Sequence, residues 1–276
     1  MGMTMKQLIT FLLCFWCLNI NAQELRIVSV GSNITEILYA LELGKHVVAS
    51  DKTSTEPTTA VHKAVLGHPN NISIEGVISH LPTHFVSDNK YPNSELTNKL
   101  NRLGVKSIIL RQATTINELL DQIDKLGHLF NRQAQARLLI TSLNEKKQKL
   151  SELKPEKKIT AAFIYGKNNL LMMGKNTTVD HLLVLASIEN GFTFEGIKPV
   201  NPESLLMANP DVLLTVDKAL TNENSKVKFF TLPGIAGTNA GQDKLIYAIP
   251  IKQINITLKT LDTALSLHHL IYGNDN

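Results

Sequence analysis

Ser73-Ile74-Glu75-Gly76-Val77-Ile78 leads into Leu81-Pro82-Thr83-His84-Phe85-Val86. After 128 residues the pattern returns as Asn201-Pro202-Glu203-Ser204-Leu205-Leu206, leading into Asn209-Pro210-Asp211-Val212-Leu213-Leu214. In both copies a polar residue able to cap a helix stands two positions before a glutamate. In both, a proline seven positions after the glutamate opens an apolar run. One copy in each half of the chain predicts two similar α/β lobes, each with a carboxylate at an equivalent place. Such a pair can clamp a ligand between the lobes or dock on a two-fold-symmetric partner.

The flanking sequence fits that frame. Residues 26–30 (RIVSV) read as a first strand, and Ser32 or Asn33 can cap a helix running to Leu43 on the apolar positions Ile34, Ile37, Leu38 and Leu41. Gly44 is expected to end it, and residues 47–49 to begin the next strand. Residues 51–71 form a long polar loop, which in a compact α/β protein usually has a job. Strands alternating with helices predict a largely parallel sheet covered on both faces. From Thr115 to Leu153 the pattern is helical, interrupted or capped at Asn131. Its second part, free of proline and glycine, is long enough at 1.5 Å per residue to bridge two lobes as a rod of roughly 30 Å. Residues 159–165, 170–173, 212–216, 226–230 and 246–249 and a terminal helix build the second lobe, with His268 and His269 expected on that helix's surface. The expected division is a leader over 1–22, a first lobe over 23–125, a linking helix over 126–154 and a second lobe over 155–276. One linking helix implies a hinge that closes by a few degrees.

The leader has Lys6, an apolar stretch over 8–20 and Asn21-Ala22 before Gln23, the features of a secretory signal peptide that directs the chain to the periplasm. Both cysteines, Cys14 and Cys17, lie inside it, so a mature chain of about 254 residues has no disulfide and no thiolate ligand and must rest on its apolar core. The formal charge of +4 comes mostly from lysine. Arginines are not interleaved with aromatics, so no nucleic-acid partner is expected.

Four stretches, RIVSVGSNITEILYALELG from Arg26, GHPNNISIEGVISHLPTHFVS from Gly67, LMMGKNTTVDHLLVLAS from Leu171 and FEGIKPVNPESLLMANPDVLL from Phe194, resemble exported substrate-binding proteins that feed metal-chelate importers. The haem-binding branch of that class is the best match. The resemblance implies two Rossmann-like lobes joined by one helix, with the ligand in the cleft between them. It implies a monomer that binds haem b (haemin) as cargo, without catalysis, and hands it to an ATP-driven inner-membrane permease. It also implies that Glu75 and Glu203 dock on basic residues of the permease dimer. Haem-binding relatives place a tyrosine after a glycine ahead of the first docking helix. Here that place is Gly67-His68, and Asn70 stands where a basic residue is usual. His68 is therefore the expected iron ligand, an imidazole in place of a phenolate.

The other ligand candidates carry weaker signals. Tyr91 follows the strand ending near Ser87, the cleft end of a parallel sheet, and could stack on a macrocycle. Tyr165 and Lys167 are further candidates. Lys175 and Lys198 could pair with propionates, and His181 could face the cleft from the second lobe. Of Met172 and Met173 at most one points to a ligand, because neighbours on a strand face opposite ways; either could offer a thioether.

Three other readings stay open. A siderophore or corrinoid would be held by aromatic walls and arginines, which are sparse here, and a free metal would draw on His62, His68 and His80. An extracytoplasmic enzyme acting on a small ligand is the alternative of another class. Gly31-Ser32-Asn33 after a strand is superficially nucleotide-like but lacks the G-x-G-x-x-G spacing, and no nucleophile–base pair stands at recognisable spacing.

Overall fold

The structure is a computed structural model that describes residues 24–90, 94–166 and 169–273. The expected leader lies outside these residues. Two sheets organise the chain. The first is wholly parallel, in the order β3 (Ala64–Val65), β2 (Val47–Ser50), β1 (Ile27–Val30), β4 (His84–Asp88), β5 (Lys106–Leu110). The second runs β11 (Ile246–Ile249), β10 (Val212–Val216), β6 (Thr160–Tyr165), β7 (Leu171–Met173), β9 (Ile197–Pro199), with β8 (Glu189–Asn190) beside β6. It is mixed, because β7 runs antiparallel to both β6 and β9. Every residue of β1 and of β10 is buried, as expected of central strands covered on both faces.

The helices are α1 (Ser32–Ala40), α2 (Ile74–Ile78), α3 (Ser94–Arg102), α4 (Ile116–Leu129), α5 (Gln133–Glu152), α6 (Thr178–Leu185), α7 (Pro202–Ala208), α8 (Glu223–Phe230), α9 (Asn239–Asp243) and α10 (Thr260–Tyr272). Four differ from the sequence expectation or sharpen it. α1 stops at Ala40 rather than Leu43, because Glu42 adopts a left-handed conformation (φ 59°); Gly44 opens a 3-10 turn instead of ending the helix. Asn131, also left-handed (φ 54°), separates α4 from α5. Residues 226–230 are the end of α8. On α10, His268 is fully buried, with Nδ1 2.9 Å from the Ala186 carbonyl oxygen, and His269 is half-buried, so the expected surface placement of the pair is corrected. The loop over 51–71 also holds the two-residue edge strand β3 and two 3-10 turns, elements too short to leave a periodic signature.

The sequence repeat is reproduced atom by atom. Ser73 Oγ accepts the Gly76 N–H at 3.0 Å at the head of α2, and Asn201 Oδ1 accepts the Ser204 N–H at 2.8 Å at the head of α7. Leu81 (φ 47°) and Asn209 (φ 34°) then turn the chain through the left-handed region. The Thr83 N–H donates to the Arg26 carbonyl at 2.9 Å, and the Asp211 N–H to the Thr160 carbonyl at 2.8 Å. In return, Thr83 Oγ1 accepts the Arg26 N–H at 3.0 Å and Asp211 Oδ2 accepts the Thr160 N–H at 2.9 Å. Each unit thus brackets its strand to the central strand of its own sheet, β4 to β1 and β10 to β6.

The largest apolar cluster continues from Ile27, Ile37 and Val86 through Leu119, Ile123 and Leu143 to Phe163, Leu183 and Leu214, so both sheets share one core by way of α4 and α5. On α5 the buried residues Ala136, Leu143 and Leu150 are seven apart and form one stripe. Gly127 lets α4 approach it: a Cβ there would sit 2.6 Å from the Ala136 Cβ.

Candidate functional site

In an open α/β sheet ligands bind beyond the carboxyl ends of the strands, where the strand order reverses. In the first sheet that point lies between β1 and β4. The carboxyl end of β1 is held by a buried polar network. Asp51, 1% exposed, accepts the Gly31 N–H and the Ser54 hydroxyl at 2.7 Å each on Oδ2. Its Oδ1 accepts the Thr53 N–H at 2.7 Å and the Thr53 hydroxyl. A buried carboxylate with this many donors is satisfied and rigid, and it fixes the start of the long loop. At the end of β4, Asp88 is 2% exposed and accepts the Lys90 N–H at 3.0 Å. Burial outweighs that bond and pushes its carboxyl up to about 6.

His68 follows this loop. The Lys52 N–H donates to the Gly67 carbonyl at 2.7 Å and the Leu66 N–H to the Ser50 carbonyl at 2.9 Å, tying residues 66–67 to the end of β2. Gly67 is left-handed (φ 97°) with open space around it, a turn that glycine makes at least cost. The His68 ring is exposed, and its Nδ1 accepts the Asn70 N–H at 3.3 Å. An acceptor Nδ1 in a neutral ring places the proton on Nε2. Iron ligation through Nε2 therefore requires the proton to move to Nδ1 and this long, weak contact to break.

The remaining candidates are placed as follows. Glu75 and Glu203 are exposed in the first turns of α2 and α7. Each helix runs back to the start of a strand, so both glutamates stand at the carboxyl-end side of their sheets. Tyr165 ends β6, half-buried. Lys175 is drawn to Asp180, Nζ to Oδ1 3.7 Å, and Lys198 lies over the Phe194 ring, 4.8 Å from its centre. Met172 and Met173 are buried, at 0% and 4% exposure, in the packed interior. β7 lies between β6 and β9 in the mixed sheet, and Met172 belongs to an apolar cluster with Ile164 and Phe192. His181 does not stand free either. Its Nε2 accepts the Ile116 N–H at 3.1 Å, satisfying an orphan donor at the head of α4 from the other lobe. Burial, helped by Lys147, holds its pKa below the ordinary histidine value. Tyr91 and Lys167 lie outside the described residues. Among the described residues no group of three or more His, Cys, Asp or Glu is placed to hold a metal ion, and His62, His68 and His80 do not converge. Sequence reasoning missed Asp88 and His181's seam contact. Asp88's position at the end of a strand was a usable signal; the His181 contact had none.

The Periplasmic binding protein family model matches residues 27–252. The chain belongs to this family. Two curated relatives are an uncharacterized ABC transporter substrate-binding lipoprotein of Bacillus subtilis, 23% identical over 72% of this chain, and the vitamin B12-binding protein of Vibrio cholerae, 24% identical over 71% of this chain and 72% of its own length. The match spans 65% of the Bacillus protein's length. Among solved structures, the periplasmic heme-binding protein RhuT from Roseiflexus sp. RS-1 has a TM-score of 0.83 at 25% identity, covering 90% of this chain and 98% of RhuT. The periplasmic heme-binding protein HutB of Vibrio cholerae has the same TM-score and identity, covering 91% of this chain and all of HutB. This chain has the two-lobed α/β fold of these heme-binding structures.

Proposed function

We propose that this chain is an extracytoplasmic carrier of haem, exported by its leader, which passes haemin to an ATP-driven permease. The observation that carries this reading is the duplicated helix–strand unit, with Glu75 and Glu203 at equivalent heads of α2 and α7, on a fold shared over about 90% of this chain with two heme-binding proteins. His68 is proposed as the iron ligand, since it is an exposed imidazole on a tied loop at the cleft end of the first sheet. Tyr91, Tyr165, Lys175 and Lys198 are the proposed surrounding contacts. Absorbance titration with haemin tests this. The wild type should show a saturable Soret shift that His68→Ala abolishes or moves, and a shift unchanged in His68→Ala would transfer ligation to another group. A corrinoid is the second reading, favoured by the likeness to the Vibrio vitamin B12-binding protein. It requires saturable binding of cyanocobalamin by the same protein.

A further inference from the structure

The segment between β11 and α10 belongs to the second lobe by sequence. Its carbonyl at Ile254 accepts the Thr178 hydroxyl, and the Ile251 N–H donates to Asp217 Oδ1 at 3.1 Å. Internally it is braced by buried Gln253, Thr257 and Thr260, with Gln253 Nε2 donating to Thr257 Oγ1 at 3.2 Å and the Thr257 N–H to Thr260 Oγ1 at 2.8 Å. Its outward groups all reach the first lobe. Lys252 and Lys259 both grip Glu56, with Nζ to carboxylate distances of 3.3 and 3.4 Å. Leu258 stands beside the buried Glu36 of α1, the two walling one cavity. Asn255 Oδ1 accepts Lys90 Nζ at 3.3 Å and lies 3.5 Å from Gln112 Nε2. A cavity of about 300 Å³ walled by Tyr39, Pro57 and Leu258 runs beside these contacts, so the seam here is held by polar ties more than by close packing.

We infer that residues 250–259 form a charge-held strap, a non-covalent tie between the lobes added to the bridging helices and the His181–Ile116 contact, which helps set their resting separation and slows ligand escape. Bridging helices leave the lobes some freedom to rock about them, and an added charged tie at the seam reduces that freedom. Only the escape of ligand rests on the haem reading. The separation of the lobes does not, so the two can fail independently.

Spin labels on Arg102→Cys in α3 and Lys228→Cys in α8, in a chain carrying Cys14→Ser and Cys17→Ser, report the lobe-to-lobe distance distribution without ligand. Glu56→Gln should broaden that distribution. The charge swap Glu56→Lys with Lys252→Glu and Lys259→Glu should narrow it again. With haemin as probe, Glu56→Gln should speed haemin loss roughly fivefold, the size expected of a partly exposed ion network. A distance distribution identical in wild type and Glu56→Gln would overturn the strap, whatever haemin does. A broadened distribution with no haemin binding in any variant would uphold the strap and reject the haem reading.

Discussion

Single residues show where the two lobes diverge. Leu81 and Asn209 hold the same left-handed position in the repeat, but asparagine tolerates that conformation and a leucine does not. Leu81 is 72% exposed, so packing offsets little of the cost. It is held by Arg26, whose guanidinium donates to the His80 carbonyl at 2.7 Å and the Leu81 carbonyl at 3.0 Å. Leu81→Asn should therefore stabilise the protein by about 0.5–1 kcal/mol, read as a higher urea midpoint at unchanged slope. A lower midpoint would mean that the leucine side chain contributes contacts that outweigh its backbone conformation. The repeat itself was legible in the sequence because caps and prolines are local signals. The left-handed turn at Leu81 was not, since it follows from the bracket between Thr83 and Arg26, 57 residues away.

At the scale of elements, α1 carries the clearest pH dependence. Glu36 is 6% exposed, and burial pushes its carboxyl from 4.5 up to about 7 against the pull of the Leu258 N–H and of Lys252 and Lys259; nearby Glu56 adds to the rise. A carboxyl raised in the folded state binds its proton more tightly there than in the unfolded chain. Its contribution to stability is full below pH 4.5 and is lost as pH climbs through about 7. Glu36→Gln keeps an acceptor for Leu258 and removes the titration. Thermal denaturation should show the variant and wild type close at pH 4.5, with the variant ahead by about 1–3 kcal/mol at pH 8. A gap that stays constant with pH would show that Glu36 is not the group that titrates. His181 acts in the opposite direction: its depressed pKa means that the stability from its bond to the Ile116 N–H is present above 6.5 and fades as pH falls below it. Neither effect was legible in the sequence. An amphipathic pattern marks α1 as half-buried, but only the long-range packing of residues 258–259 against it turns Glu36 into a buried acid.

At the scale of the whole molecule, the proposed docking glutamates stand apart from the proposed iron ligand His68. Glu75 and Glu203 are exposed and stand on different lobes, joined through one continuous core. Glu75→Lys or Glu203→Lys should leave haemin affinity within about twofold and fold stability within about 0.5 kcal/mol, as expected of surface substitutions. Uptake of haemin through the permease should fall by an order of magnitude or more, because a buried like-charge contact at an interface costs several kcal/mol. Parallel loss of haemin affinity would remove the docking role. The two-lobed plan was readable from periodicity and from the repeat. The ligand contacts were readable only in part, because a cleft gathers residues from many loops. Lys175 and His181 were candidates by sequence, and their side chains are engaged by Asp180 and by the Ile116 N–H, partners that the sequence could not announce.

The central claim, that this cleft takes haem through the first lobe, is tested most directly by titrating the wild-type protein with haemin in the presence and absence of excess cyanocobalamin and following the Soret band. Saturable haemin binding with an affinity indifferent to the corrinoid is the expected result. Cyanocobalamin binding that displaces haemin, or a Soret band identical to free haemin at every protein concentration, would contradict it.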